Sequence, residues 1–264
     1  MARVRLDTLL AERGLFDSRT RAAASVMAGE VRLGGDGQRA QKPGQLVERD
    51  VVVAVDEAPR FVSRGGTKLA NALERFDIDV SGRRALDVGA STGGFTDCLL
   101  QGGAEHVVAL DVAYGELDWR LRNAERVTVL ERTNARSLAP GDLPYAPDLV
   151  VIDVSFISLA KVLPAVLAAT APAFDVLAMV KPQFEVGRGN VGKGGVVREP
   201  ARRRAALVGV AQTARALGAA VLGFASSGLP GPKGNQESFV WLAEGGREGD
   251  LGSDLDAAVR EVEP

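Results

Sequence analysis

From Arg83 onward the chain runs in short apolar bursts, RALDV, HVVALDV, RVTVL, DLVVIDV and FDVLAMV. Between them lie stretches such as FTDCLLQGG, ELDWRLRN and SLAKVLPAVLAAT that read as helices or loops. Runs this short and this uniformly apolar suit strands buried on both faces, and parallel neighbours need a crossover segment between them. A long helical stretch, EPARRRAALVGVAQTARALG, carries Pro200 near its first turn and leads to AAVLGFASS; the Pro/Gly loop LPGPKGNQ then joins ESFVWLAE. Those last two runs read as an antiparallel pair at the sheet edge. The pattern predicts an α/β domain built on a Rossmann-like, seven-stranded sheet, with a short helix closing the tail.

Residues 3–55 follow a different rhythm. RLDTLLAERGL has helical spacing and ends at Gly14, DSRTRAAASVMAGE opens on the capping candidates Asp17 and Ser18 and stops at Gly29, and VRLGGDG reads as a strand and tight turn. KPGQLVERDVVVAV completes the unit as a turn and one strand. This predicts a small α+β domain over 1–58, a linker over 59–63 around Pro59, and the larger domain over 64–264. SRGGTKL, at 63–69, reads as a basic stretch beside the linker, with Gly65 and Gly66 letting the backbone turn inward.

A net charge of −2 means that any nucleic acid must be held by local basic patches and not by the overall field. The single cysteine, Cys98, and the single histidine, His106, exclude a disulfide within the chain and a zinc cluster of Cys and His, so a metal-free mechanism in a reducing cytoplasm is expected. The start, MARVRLDTLL, lacks a signal-peptide core, and no later run approaches about 18 uncharged apolar residues. Neither export nor a membrane span is expected.

In LDVGASTGGFTDCLL an acidic residue ends a strand, a glycine-rich turn follows, and a helix opens near Phe95. Small residues let the backbone approach a ligand at the carboxyl edge of the sheet, the usual crevice of such folds. Asp111, ending the second strand, can accept hydrogen bonds from ribose hydroxyls. A dinucleotide would want G-x-G-x-x-G, whereas this turn runs Gly-Ala-Ser-Thr-Gly-Gly after Asp87, which favours S-adenosylmethionine over NAD. A tight structural corner is the plainer alternative. The cofactor set is Asp87, Gly89, Ala90, Ser91, Thr92, Gly93, Gly94, Phe95, Asp111, Val112, Asn134 and Asp153.

Asp153 ends the fourth strand and Lys181 the fifth, so both emerge on that same edge; an antiparallel last strand brings the start of ESFVWL, with Glu237, there too. Lys68, Asp153, Lys181 and Glu237 can then meet in one cleft. A ribose hydroxyl is a poor nucleophile until its proton is removed. Lysine, with a free pKa of about 10.4, becomes a usable base only where burial and a second cation favour its neutral form. Carboxylates beside the ammonium groups keep such a cleft near neutral.

With these motifs the sequence resembles the TlyA family of ribosomal RNA 2′-O-methyltransferases, whose catalytic domain is of the FtsJ type. SRGGTKL, LDVGASTGGFTDCLL, ERTNAR, DVSFISL, VKPQFEVG and LPGPKGN followed by Glu237 carry the likeness over almost the whole chain. The resemblance implies a Lys-Asp-Lys-Glu tetrad at Lys68, Asp153, Lys181 and Glu237, with Lys181 as base. It implies S-adenosylmethionine as methyl donor, no metal, and a cytidine of ribosomal RNA within ribosomal subunits, in 23S RNA alone or in both 23S and 16S RNA, as target of a monomer. By the family's example such methylation sensitises ribosomes to capreomycin-type antibiotics. RLDTLLAERGL, SRTRAA, MAGEVRLGG and KPG resemble the S4-type RNA-binding module first seen in a small-subunit ribosomal protein. There Arg5, Arg19, Arg21 and Lys42 are the expected phosphate contacts, since backbone contacts position an RNA without reading it. Arg64, Arg132, Arg188 and Phe156 extend the RNA set, Phe156 as the aromatic that stacks on the displaced base, or else as a core side chain.

Methylation of an exocyclic amine would want Asn or Asp followed by Pro-Pro and an aromatic where DVSF stands, and a cytosine C5 mechanism would need a nucleophilic cysteine where Cys98 is read as buried in a helix. Two readings from other classes remain beside the enzyme: a haemolysin-like membrane-active protein, as family members are often labelled, and a non-catalytic RNA-binding protein.

Overall fold

The computed structural model describes residues 3–27, 29–56 and 59–263. The chain divides into two compact units, Met1–Arg60 and Phe61–Pro264.

The first unit comprises β1 (Arg3–Arg5), α1 (Leu6–Glu12), α2 (Arg19–Met27), β2 (Val31–Leu33), β3 (Gln38–Arg39), β4 (Leu46–Glu48) and β5 (Val53–Val55). Strand β1 pairs antiparallel with β4, while β2 lies between β3 and β5. Leu6, Leu9 and Leu10 of α1 close on Ala22 and Val26 of α2 and on Val31 and Val47, the small core that helical spacing predicts. One expectation is corrected. KPGQLVERDVVVAV is two strands in two sheets, because a turn closed by the Val51 N–H on the Glu48 carbonyl (3.1 Å) interrupts it.

The second unit begins with α3 (Arg64–Phe76) and continues β6 (Arg84–Val88), α4 (Gly94–Gln101), β7 (His106–Leu110), α5 (Trp119–Arg122), β8 (Val127–Leu130), β9 (Leu149–Ile152) and α6 (Leu163–Ala168). It ends with β10 (Asp175–Val180), α7 (Pro182–Glu185), α8 (Pro200–Ala216), β11 (Ala220–Ser226), β12 (Ser238–Ala243) and α9 (Leu255–Val262). The seven strands form one sheet in the order β11-β12-β10-β9-β6-β7-β8. All pairs are parallel except the two made by β12. The alternating pattern thus yields the expected mostly parallel sheet, with its antiparallel pair at one end. Register aligns Val88 with Leu110 and Ile152, and Val180 with Ser238, so the residues that follow β6, β7, β9 and β10, and the one preceding β12, share one edge.

SRGGTKL departs from its expected form. It is the capped first turns of α3 and not an inward bend: the Ser63 hydroxyl accepts from the Gly65 N–H (3.3 Å). Its glycines serve close approach. A Cβ on Gly66 would lie 2.3 Å from Phe61 Cγ, and one on Gly94, at the start of α4, would lie 2.2 Å from Ser63 Oγ and 2.9 Å from the Gly66 nitrogen. The two helices therefore meet at glycine, which carries Lys68 in over the sheet edge.

Candidate active site

Lys68, one turn into α3, reaches Glu237 immediately before β12; the ammonium donates to Glu237 Oε2, and both residues are buried. Glycine makes room here as well, since a Cβ on Gly231 would stand 2.3 Å from Glu237 Oε1. Asp153 follows β9 and Lys181 follows β10, and they form a second ion pair, with the Lys181 ammonium also donating to Ser155 Oγ (2.9 Å). Both pairs line a cavity of about 720 Å³, together with Gly89, Phe95 and Phe156. The pairs differ in access: side-chain exposure is 9% and 2% for Lys68 and Glu237, but 11% and 23% for Lys181 and Asp153. Asp153 is the most exposed of the four, while the two lysines are about equally buried.

A second cavity, of about 430 Å³, adjoins the first across Gly89 and Asp153 and is lined by Asp111, Val112, Thr133 and Asn134. The Asp111 carboxylate accepts from the Ser91 N–H and the Ala113 N–H, both at 2.8 Å, which fixes its direction and leaves lone pairs for two further donors. Gly89 has φ +89°, and a Cβ there would lie 2.5 Å from the Asp153 carbonyl oxygen, so the turn closes on the loop after β9 only with glycine. A carboxylate set in a cleft whose floor is bare backbone fits an adenosine ligand. Asn134 accepts from the Arg136 N–H (3.1 Å), and Val112 is exposed on the cavity wall. Ala90, Ser91, Thr92, Gly94 and Phe95 line the larger cavity.

Asp87 and Gly93 stand apart from both cavity walls. Asp87 is fully buried behind the turn, accepting from Thr96 Oγ1 (2.7 Å), with Oδ1 lacking a hydrogen bond among the described residues; burial pushes its carboxyl up to about 7. Gly93 caps α4 at φ +95°, and a Cβ there would meet Leu121 at 2.3 Å.

Of the expected RNA contacts in this unit, Arg64 lines the larger cavity and donates to the Pro230 carbonyl (2.9 Å), and Arg132 lies 4.3 Å over the Tyr114 ring. The Arg188 side chain lies outside the described residues. Phe156 is 91% exposed, with φ +65° and its ring 5.3 Å from that of Phe184. The core alternative for it falls. Its loop is pinned by Glu185, which accepts from Ser158 Oγ (2.7 Å) and the Leu159 N–H (2.9 Å) and whose carboxyl burial pushes upward. In the first unit Arg5 and Arg19 share Asp7, while Arg21 and Lys42 are exposed. Cys98 is buried on α4. Ser155, Lys233 and Asn235 line the larger cavity and escaped the sequence reading, although DVSF and LPGPKGN contain them.

Comparison with known proteins now adds ancestry to geometry. Residues 61–244 match the FtsJ-like methyltransferase model and residues 4–53 the S4 domain model. The chain is 52% identical, over 91% of its length and 90% of the relative's, to the 16S/23S rRNA (cytidine-2′-O)-methyltransferase TlyA of Mycobacterium tuberculosis. The chain belongs to the TlyA family. A solved structure, of a Streptococcus thermophilus protein provisionally named a hemolysin, superposes at a TM-score of 0.74 with 39% identity, covering 99% of this chain and 96% of that one. More distantly, an S-adenosylmethionine-dependent methyltransferase from Listeria monocytogenes shares the fold at 14% identity and a TM-score of 0.51, over 69% of this chain and 99% of that one. Among the described residues no helix of this TlyA-family chain is long and apolar enough to cross a membrane, and no group of three or more His, Cys, Asp or Glu is placed to hold a metal ion.

Proposed function

We propose that the chain transfers a methyl group from S-adenosylmethionine to the ribose 2′-hydroxyl of a cytidine in ribosomal RNA, in 23S and also 16S RNA, acting in the cytoplasm as a monomer on ribosomal subunits. The observation that carries the reading is the pair of Lys–carboxylate contacts on one cavity wall beside an adenosine-sized cleft. The kinship with an enzyme named for this activity supports it.

S-adenosylmethionine, when bound, supplies an electrophilic methyl group, so activating the hydroxyl is left to the protein. Asp111 would accept from the ribose hydroxyls of the donor, and Gly89, Ala90, Ser91 and Thr92 would line its site. Lys181 acts from its neutral amine form, its ammonium proton having passed to solvent, and takes the proton of the 2′-hydroxyl. Asp153 and Ser155 aim its nitrogen, and the Lys68–Glu237 pair fixes the charge around it. Phe156 stacks on the target base, and Arg64 on the rim meets a neighbouring phosphate. Arg132 and Arg188 extend that contact, and the first unit docks RNA through Arg5, Arg19, Arg21 and Lys42.

The test is to incubate the protein with a methyl-labelled donor and ribosomal subunits lacking the modification, then digest the RNA to nucleosides. Label should appear in 2′-O-methylcytidine. Label in a base-methylated nucleoside, or none with leakage of liposomes instead, would contradict the reading.

A further inference from the structure

Asp7 has no assigned role, yet three cationic residues are organised around it. It sits in the first turn of α1, with its side chain only 5% exposed. Arg5 donates to it from two nitrogens, Nε to Oδ1 (3.1 Å) and Nη2 to Oδ2 (2.7 Å); Thr8 Oγ1 adds a third contact (3.2 Å), and Arg19 Nη2 approaches Oδ2 at 3.6 Å. Both guanidinium side chains stay half in solvent, at 50% and 58% exposure. The KPG turn is fastened to the same spot: the Asp7 N–H donates to the Pro43 carbonyl and the Leu6 N–H to that of Gln45, both at 2.9 Å, which fixes the turn that carries Lys42. Gly44 is part of the fit, since a Cβ there would lie 2.9 Å from Arg5 Nη1.

This is a poor design for stability alone. An ion pair with a solvated arginine contributes little, and a carboxylate withdrawn from water needs its partners. It is a good design for holding positive charge. Two arginines crowded on one patch repel each other; one buried anion between them removes that cost and still leaves the patch positive. Arg5 spends two of its five donors on Asp7 and keeps the rest for another anion, which lysine, a point charge, cannot do. Together Arg5 and Arg19 hold the Asp7 carboxyl well down, at about 2, so the anion persists at any physiological pH.

We propose that Asp7 is a positioning residue for RNA, holding Arg5 and Arg19 in a fixed fan beside the Lys42 turn so that their outward donors meet backbone phosphates. The proposal rests on the reading of the first unit as the RNA-docking module.

The experiment measures binding of the full-length protein to a ribosomal RNA transcript across a salt series. Asp7→Asn removes a negative charge, so bulk electrostatics predicts tighter binding. Positioning predicts the reverse: affinity down about tenfold, the loss of one charge-assisted hydrogen bond, and a log–log salt slope shallower by about one. The maximal methylation rate at saturating RNA should stay the same. Arg5→Lys keeps both the charge and a partner for Asp7, which guards against a merely unfolded Asp7→Asn; its affinity should also fall. Unchanged or tighter binding by both variants overturns the role of Asp7. If Arg5→Ala combined with Arg19→Ala leaves affinity untouched, the docking reading itself is wrong, and the proposal falls with it.

Discussion

Lys68 shows what a single residue's surroundings can hide. In SRGGTKL alone it reads as part of a basic stretch, and it stands out only beside Asp153, Lys181 and Glu237; in the fold it is buried against Glu237, a residue more than 160 positions away. No local pattern encodes such a pairing, whereas Asp153 and Lys181 were legible because each directly follows an apolar run, and strand ends of a parallel sheet share an edge. Gly231→Ala should force the Glu237 carboxylate off its present seat and cut methylation by about tenfold or more while leaving donor affinity intact, as titration calorimetry and rate measurements would show. Asp87 offers a test by pH. Its folded-state pKa, about 7, lies above the unfolded value, so the folded chain binds more protons between about pH 4 and 7 and loses stability as pH rises through that window. Asp87→Asn abolishes this slope, so its melting temperature should gain on that of the wild type as pH increases from 4 to 7. Asp7, held down to about 2, has the opposite sign and lies outside that window: its contribution is complete above about pH 4 and disappears only on further acidification.

At the scale of elements, the sheet was readable and α3 was not. Strands buried on both faces leave uninterrupted apolar runs, and β6, β7, β9 and β10 lie where those runs are. Helix α3 opens on Arg-Gly-Gly, a poor helical start by propensity, and its glycines answer to α4 and Phe61, elements that a local reading cannot see. Alanine at position 66 would gain about 1 kcal/mol of helix propensity, but overpacking against the Phe61 Cβ and Cγ costs about 1–3 kcal/mol, so Gly66→Ala should lower the melting temperature. Gly94→Ala meets the Gly66 backbone nitrogen as well as Ser63, and backbone yields less than a side-chain tip. It should therefore move α3, and Lys68 with it, reducing turnover more than donor binding. The single strand expected over KPGQLVERDVVVAV failed for a related reason: the apolar residues continue across a turn that nothing in their spacing marks.

For the molecule as a whole, the two units differ in kinship: residues 4–53 match the S4 domain model, and residues 61–244 the FtsJ-like methyltransferase model. The two kinds of domain were legible in the change of rhythm between residues 3–55 and the apolar runs after Arg83. The Asp7 cluster was not, because Arg5, Asp7, Arg19 and the KPG turn come together only once α1, α2 and the turn have packed. The account's centre is the assignment of Lys181 as the base that activates a ribose hydroxyl. The most direct measurement is ribose-methylation mapping of ribosomal RNA treated with the wild-type protein and with Lys181→Ala, alongside donor binding for each. The account predicts loss of the cytidine modification with donor binding retained; methylation by Lys181→Ala at the wild-type rate would contradict it.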